Sequence, residues 1–183
     1  MMAGKIDPLE FASLPTRRQY LAGAAATLGA LVNSSALRGK PQQAMTEKQS
    51  IDADATRTYL HQEVDLKASP QKIYEILLDS RPFAAFTGMP AEISRDSGGA
   101  FSMFGGMIVG RNVELVANQR IVQAWRPASW NPGVYSIVRF ELKGDDAQTK
   151  LILDHTGFPE GNFGHLDSGW YARYWNPLKK YLA

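Results

Sequence analysis

Six short runs of strand-forming residues fill the chain between residues 91 and 158, and this repetition constrains the fold more than any other feature. The runs are AEISRD, GAFSMF, MIVGRNVELVA, RIVQAWR, VYSIVRFELK and TKLILDHTGF. Turn signals separate them, including Gly105-Gly106, which favours a two-residue hairpin loop, and Asn118. Connections this short join antiparallel neighbours, so the runs predict one antiparallel sheet.

Alternation within the runs shows which face of the sheet is buried. In VYSIVRFELK, Val138 and Phe140 fall on one face, whereas Arg139 and Glu141 fall on the other. The earlier stretch YLHQEVDLKA, from Tyr59, has the same period and predicts a further half-buried strand.

Helical patterns flank the strands. SPQKIYEILLD opens with Ser69 as an N-cap and Pro70 at the first helical position, and SRPFAAFTGMP predicts a second short helix that ends at Gly88. The C-terminal LDSGWYARYWNPLKKYLA carries an aromatic and apolar stripe at helical spacing, with Pro177 expected to bend the helix. The stripe comprises Trp170, Tyr174, Leu178 and Tyr181, with Tyr171, Trp175 and Leu182 beside them. The element order predicts an α+β fold in which a curved antiparallel sheet wraps around the C-terminal helix.

The N-terminal region has the pattern of an export signal. Arg17 and Arg18 precede a charge-free stretch whose strongly apolar part, residues 21–32, is shorter than the ~20 residues of a membrane span. TRRQYLA resembles the twin-arginine consensus, which implies the twin-arginine export machinery as a partner and a periplasmic location. We therefore predict an export signal at residues 1–36 and a flexible linker at 37–57. An anchor or a disordered tail is the alternative to a signal.

A second start codon leaves another alternative open. Translation from Met45 would give a chain without the signal, and that chain would be cytoplasmic. The domain that follows, residues 58–183, would be the same in either case.

Composition and motifs exclude several classes of function. A formal net charge of +2 gives no electrostatic case for nucleic-acid binding, and the absence of cysteine excludes disulfides and thiolate metal sites. No HExxH, phosphate-binding or GxSxG motif is present. Asp154 and His155 are strand neighbours that point to opposite faces, and Asp167 is expected to cap the last helix or to favour its dipole. We therefore predict no enzyme activity, no metal and no cofactor.

Four segments carry a resemblance to a known family. They are PQKIYEILLD, FTGMPAEISRDSGGAFSMFGG, GRNVELVANQRIVQAWR and GWYARYWNPLKKYL, which together cover most of residues 58–183. They resemble homologues of the activator of the 90-kDa heat-shock protein ATPase, specifically its C-terminal domain. The resemblance implies the helix-grip fold of START-like (SRPBCC) domains, with two short helices after the first strand.

A helix-grip domain can hold a ligand between its sheet and its last helix. Eight residues are candidates to line such a cavity: Phe101, Met103, Trp125, Val138, Phe140, Trp170, Tyr174 and Leu178. The same side chains would serve equally as a packed core. The favoured function is non-enzymatic binding of a small hydrophobic molecule. The alternative is a co-chaperone-like interaction module in the cytosol, and the sequence leaves the ligand and the oligomeric state open.

Overall fold

The structure is a computed structural model that describes residues 54–183. The predicted export signal, with Arg17 and Arg18, and most of the predicted linker lie outside these residues. The last residues of the linker interval contact the domain: residues 54–56 are helical, and Ala55 O accepts a hydrogen bond from Gly161 N. No helix in the described part of the chain is long and apolar enough to cross a membrane.

In the described part of the chain, seven antiparallel strands form one sheet, in the order β1-β7-β6-β5-β4-β3-β2. Each predicted run contains one strand. The bounds are β1 Tyr59–Leu66, β2 Glu92–Ile93, β3 Ala100–Met103, β4 Ile108–Val116, β5 Arg120–Pro127, β6 Ser136–Gly144 and β7 Thr149–Thr156. The predicted α+β, helix-grip architecture is confirmed.

One face of the sheet carries the core. Val138, Phe140 and Leu142 of β6 are buried, while Arg139 and Glu141 lie on the other face, where they form an ion pair. This is the predicted alternation, and it fixes the register because a one-residue slip would expose every apolar side chain of the strand.

Two short helices follow β1 and begin and end as predicted. Helix α1, Pro70–Leu78, is capped by Ser69, whose Oγ accepts from Lys72 N. Helix α2, Ser80–Thr87, ends at Gly88, which has φ 69° and whose N–H bonds to Ala84 O. That left-handed residue suits glycine because it has no Cβ to clash.

The β3–β4 hairpin differs from the expected two-residue loop. Its last strand pair is Met103 with Ile108, so the loop has four residues, and three of them have positive φ. Phe104 is one of these, at φ 54°, and its ring is buried against Phe83 and Tyr174. Burial of that ring offsets the cost of a left-handed backbone at a non-glycine residue.

The C-terminal helix is interrupted by a π-helical turn. Helix α3, Phe163–Trp170, leads into π-helical residues Tyr171–Trp175, and helix α4, Asn176–Tyr181, follows. The turn lies just before Pro177, which has no N–H to donate to the preceding turn, and Asn176 N instead bonds to Tyr171 O. The predicted loosening near Pro177 therefore takes this form.

The π turn changes which residues face the core. One extra residue rotates the following side chains by about 100° relative to a regular helix. Trp175 is consequently buried beside Trp170, and Leu178 is buried, whereas Tyr181 is 44% exposed. The prediction that Tyr181 belongs to the buried stripe is wrong for this reason.

Candidate functional site

A column of three tryptophans joins the last helix to the sheet. Trp170 stacks on Trp125 of β5 with ring centroids 4.9 Å apart, and on Trp175 with centroids 5.4 Å apart and rings inclined by only 16°. All three rings are buried. Residues five apart face each other on a π turn rather than an α turn, so the π turn makes the second stack.

Each indole N–H of the column donates to a buried polar side chain. Trp125 Nε1 donates to Gln123 Oε1 at 2.9 Å, Trp170 Nε1 to His155 Nδ1 at 3.2 Å, and Trp175 Nε1 to Gln62 Oε1. A buried donor left without an acceptor would cost about 1–3 kcal/mol. The glutamines and the histidine therefore fix the positions of the three rings.

The acceptors extend into further hydrogen bonds that tie distant segments together. Gln123 Nε2 donates to Asn112 Oδ1 at 2.9 Å, and Asn112 donates to the carbonyl oxygen of Ser94 at 2.7 Å. Gln62 Nε2 donates to Asp167 Oδ1 at 2.8 Å. Asp167 therefore accepts from the first strand and makes no side-chain cap of α3, so the capping role is wrong.

His155 is neutral and fully engaged. Its Nδ1 accepts from the Trp170 indole, so in the neutral ring the proton lies on Nε2, which donates to Ser136 Oγ at 2.7 Å. Ser136 Oγ in turn lies 3.4 Å from Trp125 O, to which it donates. Burial lowers the pKa of His155 to about 3. A base that activates serine must accept its proton, and here histidine donates instead.

Asp154 lies on the opposite face from His155, as predicted. Its carboxylate is 2.7 Å from His61 Nδ1 and also pairs with Arg139. The hydrogen bond to Asp154 raises the pKa of His61. The two neighbours thus belong to separate networks.

Beside the tryptophan column a cavity of about 250 Å³ separates the helix from the sheet. The β3–β4 turn, the end of β5 and the segment after it, and the inner side of α3 and the π turn enclose it. Its walls are mainly apolar. The lining residues are Phe104, Met107, Ile108, Trp125, Pro127, Ala128, Ser129, His165, Leu166, Gly169, Trp170, Arg173 and Tyr174.

The eight residues proposed from the sequence as cavity-lining divide into two groups. Trp125, Trp170 and Tyr174 line the cavity. The other five are buried in the core and do not border it: Phe101, Met103, Val138, Phe140 and Leu178. Tyr174 connects the groups, because its hydroxyl lies 3.4 Å from Met103 Sδ. Burial raises the pKa of Tyr174 well above the ordinary value.

Most of the lining was not identified from the sequence. Met107, Pro127 and Ala128 belong to turns and strand ends, where periodicity gives no orientation. His165, Gly169 and Arg173 follow each other at intervals of four on the helical segment and border the cavity as one row. Gly169 was the available signal for this row, because a glycine inside a helical pattern lowers helix stability and therefore indicates another role for the position.

Two of the lining side chains can carry positive charge, and none is a carboxylate. His165 and Arg173 are both exposed at the mouth of the cavity. Within residues 54–183, no group of three or more His, Asp or Glu side chains is arranged to hold a metal ion.

Comparison with known proteins identifies the family. The family model described as "Activator of Hsp90 ATPase homolog 1-like protein" matches residues 67–183, which is more than half of the chain. The chain belongs to this family. The resemblance noted from the sequence segments is thus confirmed.

Relatives in the family include the human activator of 90 kDa heat shock protein ATPase homolog 1, which is 24% identical over 143 residues, covering 78% of this chain and 42% of the relative. A Dictyostelium discoideum homologue is 32% identical over 107 residues, or 58% of this chain and 28% of the relative. The chain therefore matches less than half the length of these relatives.

A solved structure shows the same fold. The crystal structure of an HSP90 activator from Plasmodium falciparum superposes with a TM-score of 0.62 at 25% identity, and the match covers 64% of this chain and 91% of that one.

The buried state of His155 predicts how the stability of the domain responds to acid. Because the folded pKa is about 3, against 6.5 for an ordinary histidine, the unfolded chain binds a proton that the folded chain does not between these pH values. The contribution of His155 to the unfolding free energy should be full above pH 6.5 and fall by about 1.4 kcal/mol per pH unit as the pH drops towards 3.

Imidazole ¹⁵N NMR measures this site directly. We expect His155 to keep the neutral Nε2–H tautomer down to about pH 4, while His61 serves as an internal reference that titrates above its ordinary pKa. A His155 signal that titrates near pH 6.5 would contradict the buried network.

Proposed function

We propose that the domain binds a small hydrophobic molecule in the cavity between the sheet and the C-terminal helix. The support is a largely apolar space of about 250 Å³ with Trp125, Trp170 and Tyr174 on its walls. Small-molecule sites are usually clefts of roughly 300–1,000 Å³ with apolar and aromatic walls and few polar groups. A volume just below this range favours a ligand of one or two rings, or a short alkyl chain.

Gly169 is the observation that carries this proposal. Glycine within a helix destabilises it by about 0.5–1 kcal/mol relative to alanine. A Cβ at Gly169 would meet no atom within 4 Å, so packing does not require glycine there, and no positive φ requires it either. The missing side chain widens the cavity at a position where neither packing nor backbone conformation requires glycine.

The chemistry of the walls favours binding over catalysis. Ser129 and His165 are the lining residues of nucleophile and base type, and no hydrogen bond joins their side chains in the described part of the chain. Among the described residues, the one serine hydroxyl that is hydrogen-bonded to a histidine ring is that of Ser136, which accepts from His155. This pair is buried, and the histidine donates its proton to the serine, which is the reverse of nucleophile activation.

Filling the cavity from Gly169 should abolish binding. In Gly169→Leu the new side chain would occupy the cavity, and the helix itself should not lose stability, because leucine is a better helix former than glycine. We expect 2-naphthamide, a neutral two-ring probe, to raise the melting temperature of the unmodified chain and not that of the variant. At a hundredfold excess over Kd a ligand stabilises by about 2.7 kcal/mol, which corresponds to a shift of roughly 5–10 °C.

Gly164→Leu is the matched control. Gly164 lies on the same helix, a Cβ there also meets nothing within 4 Å, and it does not border the cavity. This variant should keep the full ligand shift. Equal shifts in both variants, or no shift in the unmodified chain, would argue against the cavity as a binding site.

A second proposed function is interaction with a 90-kDa heat-shock chaperone. Family membership supports it, since the human and Dictyostelium relatives are named as activators of that chaperone's ATPase. The match to under half of each relative makes a weaker effect the expected outcome. This function requires a chain that is present in the same compartment as the chaperone.

The ATPase rate of purified chaperone tests the second function. We expect added chain to raise the rate in a dose-dependent way and by less than the full-length human relative does. The control is an equal concentration of serum albumin. An unchanged rate up to the solubility limit of the chain would exclude activation by this chain alone.

We further propose export through the twin-arginine pathway, supported by the TRRQYLA pattern in the sequence. Expression of the full gene in its native host, with fractionation and intact-mass measurement, should give a periplasmic species that begins near Leu37. Replacing Arg17 and Arg18 together by lysine should retain the protein in the cytoplasm. A cytoplasmic species that begins at Met45 in the unmodified strain would contradict export and favour the chaperone as partner.

A further inference from the structure

We infer that the ligand of the cavity is a small amphipathic anion, an aromatic or aliphatic carboxylate whose charged group lies at Arg173 while its apolar part lies against Trp125 and Trp170. This inference rests on the proposed ligand-binding function and specifies the chemical class of the ligand.

Among the described residues, Arg173 is a cation without a partner. No hydrogen bond, ion pair or ring contact involves its side chain within the described residues. Arg120 pairs with Glu114 and Glu141, and Arg139 with Glu141 and Asp154. Arg81 also has no side-chain partner among the described residues, but it does not border the cavity. Arg173 therefore has its donors available for a ligand.

The position of Arg173 suits an anion bound at the rim of the cavity. It lies within the π turn, between the two cavity-lining aromatics Trp170 and Tyr174, and is itself exposed. Its aliphatic stem can border the apolar wall while the guanidinium stays in water, as is usual for arginine. The guanidinium presents paired donors that match the two oxygens of a carboxylate.

Charge complementarity distinguishes this ligand from a cationic one. A pocket lined by two tryptophans, a tyrosine and a phenylalanine could in principle hold a quaternary ammonium group by cation–π attraction. The lining contains no carboxylate, and both of its ionisable side chains at the mouth, Arg173 and His165, are of the basic type. A cation would meet repulsion there, whereas an anion would be attracted.

Three isosteric probes test the inference on the full 183-residue chain. Isothermal titration would measure the affinity of 2-naphthoate, of neutral 2-naphthamide and of the cationic 2-naphthylmethylammonium. We expect 2-naphthoate to bind about fivefold tighter than 2-naphthamide, near the upper end of the contribution of an exposed ion pair, and the cation to bind most weakly. Raising the ionic strength should reduce the difference.

Arginine variants locate the anion. Arg173→Gln should abolish the preference for 2-naphthoate over 2-naphthamide, whereas Arg173→Lys should recover part of it. Lys179→Gln is the matched control, because it removes the same charge from an exposed position on α4 that does not border the cavity. It should keep the full preference.

The outcomes separate the two claims. If 2-naphthamide and 2-naphthoate bind equally, the anion inference fails and the binding function stands. A preference that persists in Arg173→Gln, or a preference for the cation, also overturns the inference. Binding of none of the three probes overturns both claims.

Discussion

The hydrogen bond from the Trp170 indole to His155 is the interaction on which the rest of the structure depends. A large ring at the centre of the core must satisfy its single donor, and a buried neutral imidazole provides the acceptor. That bond sets the tautomer of His155, which in turn orients Ser136. It also holds Trp170 at the depth where its ring stacks on Trp125 of the sheet, and the π turn adds the stack of Trp175 on Trp170.

The cavity is a consequence of the same arrangement. The tryptophan column holds the helix against β5 and β7, while the β3–β4 turn and the segment after β5 lie to one side of the column. Nothing in the row His165, Gly169 and Arg173 is both large and apolar, so this side of the helix leaves the gap unfilled. The proposed binding site thus lies at the edge of the core, beside the tryptophan column, where the side chains of the helix and the sheet no longer meet. Family membership alone would not locate it, because one fold serves many functions.

The sheet could be predicted because its signal is local and periodic: Val138 and Phe140 alternate with Arg139 and Glu141, and the turns carry their own residues. The identity of the last helix was equally plain from its aromatic stripe. The π turn could not be predicted, because Pro177 indicates that a regular helix is interrupted but does not indicate the form of the interruption. A regular helix places Tyr181 on the buried face, and the π turn removes it from that face. The residues of the cavity wall were harder to predict than the π turn. Phe101 and Trp125 are both aromatic residues at inward-facing strand positions, so the sequence gives no reason to treat them differently. Only the structure shows that Trp125 borders the cavity and that Phe101 is packed in the core.

The most direct test of the ligand-binding account is the indole region of a ¹H–¹⁵N correlation spectrum, recorded while 2-naphthoate is added. Trp125 and Trp170 line the cavity, whereas Trp175 is buried beyond it with its N–H bonded to Gln62. We predict saturable shifts of the Trp125 and Trp170 indole signals and a much smaller shift of the Trp175 signal. Indole signals that all remain unchanged, or a largest shift at Trp175, would contradict a binding site between the sheet and the last helix.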